Sequence, residues 1–367
     1  MKKVCLVDIM GALYRQRIYQ LIDGQYDCIW LLGKPDGGIK SMDLSLLKEV
    51  HEAKAKQMAK AFYTQQGVVK YLFRNDVSTF VMDGNPFCLT SWYVLLLSKL
   101  FPKKKVYLWT HGWYGKEGFA RKLLKKAYFG LADGMFLYGN YAKGLMIKEG
   151  FDEKKLFVVH NSLDYDNQLQ LRNQLAAKNI YQKHFGNNHP TIIFIGRLTD
   201  VKRIDLLLKA LSILKADGKQ YNLVLIGTGT IEQELKSLAT ELGLEDSVWF
   251  YGACFDDNVN AEMIYNADVC VSPGNVGLTA MHSMMFGTPV ITHDNFPYQM
   301  PEFEAIHSGV TGDYFRYNNE ADLAQTIDKW LEEHKQNREQ VRENCFREID
   351  TQWNPSFQME VFKKYLK

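Results

Sequence analysis

Short apolar runs of four to six residues, rich in Val, Ile and Phe, recur along the chain and alternate with stretches whose apolar residues return every three or four positions. The runs read as buried strands and the stretches as amphipathic helices. Their alternation predicts an α/β protein built from parallel sheets wrapped by helices. In the first half the predicted strands are 3–8, 28–32, 78–82, 106–110, 134–138 and 156–160, with a helix over 43–66 ending near Gly67. In the second half "TIIFIG" (191–196), "NLVLIG" (222–227), "VWFYG" (248–252), "DVCVS" (268–272) and "PVITH" (289–293) each precede a helix or a loop. The strand rhythm lapses over 161–190, which places there the join between two doubly wound, Rossmann-like domains. Residues 320–366 read as helical with a break at Asn354-Pro355. The division expected is 1–165, 166–345, and a terminal helix over 346–367 crossing back to the first domain.

Length agrees with two domains, since 367 residues exceed one ordinary core. The 46% hydrophobic and 23% charged residues are those of a soluble globular protein. Six cysteines stand scattered with no C-x-x-C pair, so neither a zinc site nor a disulfide framework is indicated, and a reducing, cytoplasmic setting fits. The opening "MKKVCLVDIMGALY" imitates a signal peptide, but Asp8 interrupts its apolar run and no small-residue cleavage site follows. The longest apolar stretch elsewhere, "WYVLLL" at 92–97, is far below the roughly 20 residues that span a bilayer.

The net charge of +2 conceals a division. Residues 1–183 carry 28 Lys and Arg against 16 Asp and Glu, or +12, and residues 184–367 carry 16 against 26, or −10. The first half is therefore expected to meet something anionic, either a membrane surface or a phosphorylated acceptor.

Three segments carry candidate chemistry. In "IIFIGRLTDVKRIDLLLKAL" (192–211) a buried strand stops at Gly196, Arg197 and Lys202 lie on the following loop, and a helix begins. Two cations at the carboxyl end of a parallel strand, beside a helix start, suit a diphosphate; a solvated loop with a stray Arg and Lys has the same local pattern. In "LIGTGT" (225–230), Gly227, Thr228 and Gly229 let backbone approach a phosphate or a base, or make a tight turn only. In "SPGNVGLTAMHSMMFG" (272–287) a Gly/Asn loop empties into a helix, so the amides of Gly277, Leu278 and Thr279 are poised for a sugar or an anion.

The order of these pieces, followed by "GTPVI" and "GVTG", resembles the carboxyl-terminal donor domain of the retaining GT-B glycosyltransferases, the group 1 (family 4) type, over most of 190–315. A shorter echo covers 108–164. The resemblance implies two Rossmann-like domains facing a central cleft, with the acceptor on the amino domain and a nucleotide-sugar on the carboxyl domain. It implies that Arg197 and Lys202 hold the donor diphosphate, that His111 reaches the donor sugar, that Gly196, Gly227, Thr228 and Gly229 lie near the nucleotide, and that Glu302 lies beside the sugar. The family's Glu-x7-Glu motif would fall on Gly274 and His282, and both acids are gone. An imidazole at His282 can still bond ribose hydroxyls, being able to donate and accept. Asn275, backbone amides, or Glu302 and Glu304 can meet the sugar. The alternative for His282 is a helix histidine packed on the sheet.

The activity implied is transfer of a sugar from a nucleotide-diphosphate donor to a glycan or polyprenyl-linked acceptor, with retention, in bacterial-type surface polysaccharide synthesis. No metal or other cofactor is expected if the two cations stabilise the leaving group. Competing readings are a sugar-nucleotide epimerase of related fold and a non-catalytic scaffold.

The basic first half concentrates charge in "PKKK" (102–105: Lys103, Lys104, Lys105) and in "FARKLLKKAYF" (119–129). On a helical wheel Arg121, Lys122, Lys125 and Lys126 share an arc, with Phe119, Leu123 and Ala127 opposite. The expectation is a helix with its apolar side on the sheet and its cations near His111 and turned to lipid headgroups, a peripheral contact on the inner membrane face. No nucleic-acid-binding module is recognisable. "DYD" (164–166) matches a metal-binding D-x-D only in spelling, since it lies in the linker.

Overall fold

The computed structural model describes residues 2–34 and 40–366. By contacts these divide into two units, Met1–Asp164 with Asn354–Lys367, and Tyr165–Trp353.

In the first unit the chain runs β1 (Lys3–Asp8), α1 (Gln16–Gln25), β2 (Cys28–Leu32), β3 (Val50–Glu52), β4 (Ala55–Gln57), β5 (Tyr63–Gln65), β6 (Val77–Asp83), α2 (Leu89–Ser98), β7 (Lys105–Thr110), α3 (Phe119–Gly130), β8 (Gly134–Leu137), α4 (Asn140–Lys148) and β9 (Leu156–Val158). Seven strands pair in parallel in the order β3-β2-β1-β6-β7-β8-β9, and β4 with β5 makes a separate antiparallel ribbon. Strand residues alternate between two cores: Cys5, Val7, Ile29, Leu31, Phe80 and Met82 on one face, Val4, Leu6, Cys28, Trp30 and Val81 on the other. Burial on both faces explains why these strands read as continuous apolar runs.

The second unit runs α5 (Tyr165–Arg172), α6 (Ile180–Phe185), β10 (Thr191–Ile195), α7 (Ile204–Ala216), β11 (Asn222–Ile226), α8 (Glu232–Glu241), β12 (Val248–Gly252), α9 (Asp257–Asn266), β13 (Val269–Ser272), α10 (Leu278–Met285), β14 (Val290–His293), β15 (Gly312–Phe315), α11 (Glu320–Glu333) and α12 (Arg338–Gln352). Its sheet is parallel in the order β12-β11-β10-β13-β14-β15, the doubly wound order. Each sheet reverses its strand order once, between β1 and β6 and between β10 and β13, and the carboxyl ends of the strands at such a switch point are where doubly wound sheets bind ligands.

The terminal helix α13 (Pro355–Tyr365) starts with Pro at its first position, and the Asn354 side chain accepts from Phe357 N–H at 2.9 Å. Phe362 and Met359 bury among Ile18, Tyr19, Ile22 and Trp30 of the first unit. Residues 346–352, grouped by sequence with this helix, continue α12 in the second unit instead, where Asp350 pairs with Arg172 at 2.9 Å.

The helix expected over 43–66 does not form. The segment is a single 3-10 turn, then β3, β4 and β5. Its Ala, Lys and Gln content favours helix by only tenths of a kcal/mol per residue, and it lacks an apolar stripe to hold one. Pairing of Trp30 with Val50 and of Leu32 with Glu52 extends the sheet and satisfies the backbone.

Candidate functional site

The switch point of the second sheet gathers most of the residues singled out by sequence. Chain leaving β10 passes through Gly196 and Arg197 to Lys202, and chain leaving β13 passes through Gly274 and Asn275 to Gly277, the cap of α10. These loops are hydrogen bonded to each other: Gly274 N–H donates to Lys202 O (2.9 Å), and Lys202 Nζ donates to the backbone O (2.6 Å) and Oδ1 (2.8 Å) of Asn275. Lys202 thus keeps one donor of its three for a ligand. Burial pushes its ammonium down to about 8, against the opposing pull of the nearby Glu302 carboxylate and with help from the Arg197 charge. Arg197 is exposed and makes no hydrogen bond or ion pair among the described residues.

Gly277 has φ +52° and ψ −148°, a conformation open to glycine alone, and no side chain caps the helix it starts. A Cβ there would stand 3.9 Å from Lys202 Nζ, so the amino end of α10 and the ammonium lie side by side. Thr279 Oγ1 ties this helix to β10 by donating to Ile195 O at 3.0 Å, and Leu278 is half-buried.

Gly227 and Gly229 have a packing role that the motif did not reveal. Their Cα atoms press on the β10 loop: a Cβ on Gly227 would be 1.9 Å from Gly196 O, and one on Gly229 2.0 Å from Leu198 O. Leu198 N–H donates to Thr228 O at 3.0 Å, which zips the two loops together.

Glu302, 2% exposed, enters from a 3-10 turn over 301–305. Sequence reasoning missed the buried Gln299 that holds this segment. Its Oε1 accepts from Val276 N–H (2.9 Å) and its Nε2 donates to Thr292 Oγ1 (2.8 Å) and His293 O (3.0 Å). A glutamine in an apolar setting with all its groups committed was not separable by composition from a surface glutamine. His282 is half-buried, with Nδ1 3.3 Å from Gln168 Nε2 on α5, and burial depresses its pKa.

In the first unit His111 follows β7. Its ring stands 4.7 Å from that of Tyr138 and 6.1 Å from that of Tyr114. Burial, then the charges of Arg15 and Lys125, push the imidazole down to about 4, so it is neutral at pH 7. The loop beyond it is fastened by Lys125 Nζ, which donates to Gly112 O (2.9 Å) and Glu117 Oε1 (2.6 Å).

The basic residues do not form the single patch expected. Lys103, Lys104 and Lys105 lie at the amino end of β7, opposite His111, and Lys104 Nζ donates to Arg74 O (2.8 Å) and Val77 O (2.7 Å). Lys125 turns inward, and Lys122 and Lys126 both pair with Glu149 at 2.9 Å. The apolar side of α3 does not pack on the sheet: Phe119 is 85% and Leu123 63% exposed, Ala127 is exposed on the same side, and Arg121 is exposed on the opposite arc. Only the helix's last turn, Tyr128 and Phe129, reaches the core. Among the described residues no helix is long and apolar enough to cross a membrane.

Comparison with known proteins agrees with this geometry. The model of the family "Glycosyl transferases group 1" matches residues 177–347. A glycogen synthase of Petrotoga mobilis is 27% identical over 235 residues, 58% of this chain and 47% of that protein. An amylovoran biosynthesis glycosyltransferase, AmsK of Erwinia amylovora, is 29% identical over 119 residues, 32% of this chain and 28% of that one. The chain thus spans less than half the length of these curated relatives. HepE of Anabaena, solved in complex with UDP, superposes with TM-score 0.75 at 17% identity, over 100% of this chain and 99% of that one, which establishes the fold. Residues 177–347 belong to the glycosyl transferases group 1 family, and the two parallel sheets are those of a GT-B fold.

Proposed function

We propose that the chain is a glycosyltransferase that moves a sugar from a nucleoside-diphosphate donor, bound by the second unit, to a glycan or lipid-linked glycan acceptor, bound by the first. The observation that carries this reading is Arg197, an uncommitted guanidinium, with Lys202 and the uncapped start of α10 at one switch point. As the sugar–phosphate bond breaks, charge grows on the phosphate oxygens. Two cations and a helix amino end stabilise that charge, and do so more strongly as it develops. No metal is then needed for this step. Retention follows if the acceptor hydroxyl attacks from the face that the diphosphate vacates and gives its proton to a phosphate oxygen. Gly227, Thr228 and Gly229 would border the nucleotide. His282 would meet the ribose through Nε2, its Nδ1 facing Gln168, while Glu302 and Asn275 would address the sugar.

UDP bound to HepE supports a nucleotide donor, and the amylovoran biosynthesis glycosyltransferase supports a role in polysaccharide synthesis. The exposed Phe119 and Leu123 support a peripheral seat on an anionic inner membrane face. The test is thermal-shift screening against UDP, GDP, ADP and their sugars on wild type and Arg197→Ala. A shift in wild type that the variant loses supports the clamp; an equal shift in both overturns it.

A further inference from the structure

The first unit holds a polar cluster that this mechanism leaves unused. Val7 pairs with Met82 and Asp83 with Trp109, so Asp8, Asp83 and Trp109 close the carboxyl ends of β1, β6 and β7 at the first sheet's switch point. Asp8 and Asp83 fall on the face of Leu6 and Val81, where they line a small recess with Tyr19, Trp30 and Trp109.

Asp8 is committed: Arg15 Nη1 and Tyr19 OH donate to its Oδ2, and Met10 N–H to its Oδ1. Its neighbours are not. Among the described residues no hydrogen bond or ion pair reaches the Asp83 carboxylate. Trp109, 6% exposed, has a buried Nε1–H without an acceptor. A buried polar group left unmet costs about 1–3 kcal/mol, so unmet groups of complementary kind on adjacent strand ends mark a place that a polar ligand completes. A phosphate would meet an uncompensated carboxylate there. Hydroxyl groups, which donate and accept, meet both.

We propose that the recess at the β1–β6 switch point receives a hydroxyl-bearing edge of an uncharged polyol, with Asp83 accepting and Trp109 Nε1 donating. The proposal rests on the glycosyl-transfer reading, in which that polyol is the terminal sugar of the acceptor, and it assigns this subsite to a neutral group rather than a phosphorylated one. Burial, with Asp8 beside it, raises the Asp83 carboxyl to about 7, and Arg15 pulls the other way. The other groups facing it, Tyr63, Cys88, Tyr128 and Tyr138, keep their protons through that range because burial raises each of them. Hydroxyls donating to Asp83 favour its ionised form, so polyol binding strengthens as pH rises from 6 to 8.

The experiment is NMR on the full chain labelled with 15N-tryptophan, the Trp109 indole N–H being assigned by its loss in Trp109→Phe. Methyl hexopyranosides and, separately, inorganic phosphate are titrated at pH 6 and pH 8. A saturable shift of the Trp109 signal by at least one hexoside, several-fold tighter at pH 8, with roughly 10-fold weakening and loss of the pH dependence in Asp83→Asn, is the expected result. A shift by phosphate and not by hexosides, no shift by any probe, or equal hexoside affinity in wild type and Asp83→Asn overturns it. If Asp83→Asn does not fold, the pH dependence in the wild-type chain decides. UDP, GDP and ADP binding is followed by thermal shift on the same samples. Hexoside binding without any nucleotide binding would sink the glycosyl-transfer reading and leave the subsite standing; the reverse would sink the subsite alone.

Discussion

A Cβ on Gly274 would stand 1.9 Å from the carbonyl oxygen of Val201 and 2.8 Å from Lys202 Cα. Residue 274 is the position at which the resemblance calls for a carboxylate, and in this backbone no side chain can stand there. The carboxylate found beside Lys202 comes instead from Glu302, on a different loop.

Replacing Gly274 should therefore damage the clamp rather than restore an ancestral contact. Gly274→Ala is expected to cost about 1–3 kcal/mol through overpacking, read as a lower midpoint in thermal unfolding, and to reduce nucleotide binding because the Lys202 loop must move. A Gly274→Glu variant as stable as wild type and more active would contradict this.

Arg197 and Lys202 should separate in their effects. Arg197 is exposed and unpaired, so Arg197→Ala should alter the stability of the free protein by no more than about 0.5 kcal/mol, yet weaken nucleoside-diphosphate binding at least about 10-fold. Lys202→Ala removes two hydrogen bonds to Asn275 and should lower both the melting temperature of the free protein and the affinity. Calorimetric titration with UDP, GDP and ADP, paired with thermal unfolding, checks both.

The depressed pKa of Lys202 gives nucleotide binding a pH dependence of definite sign. With the ammonium pushed down to about 8 by burial, the free protein loses this positive charge as pH rises through 8, and affinity for the diphosphate should fall there. Binding above pH 8 should take up a proton, because the anion favours the charged form. In Lys202→Arg, whose guanidinium does not titrate in this range, the affinity should be flat from pH 7 to pH 9.5. Titration in two buffers of different ionisation enthalpy measures the proton uptake.

The exposed side of α3 should act at a lipid surface. Wild type is expected to float with vesicles containing anionic phosphatidylglycerol and to release as salt is raised. Phe119→Ser with Leu123→Ser should abolish flotation without lowering the melting temperature, since both side chains lie outside the core.

Transfer, once a donor and acceptor are found, should persist in excess EDTA, because the proposed charge stabilisation uses Arg197, Lys202 and the start of α10. Loss of activity restored by a divalent cation would overturn the metal-free step.

The sequence by itself determined the strands and the order in which the site's parts occur. β1, β2, β6, β7, β8, β10, β11, β13 and β14 are legible because a strand buried on both faces must be apolar throughout, and Gly196, Arg197, Lys202 and Gly277 are legible because they stand where such strands stop. Tertiary structure alone decided the rest. Segment 43–66 has the composition of a helix and becomes strands, since an open sheet edge offers its backbone more than its weak helical preference. Phe119 and Leu123 follow the helical period but face water, because periodicity fixes that residues share a side and not what that side meets. Asp8, Asp83 and Trp109 lie up to 101 positions apart in the chain, and only the reversal of strand order between β1 and β6 brings the unmet groups of Asp83 and Trp109 beside Asp8 in one recess.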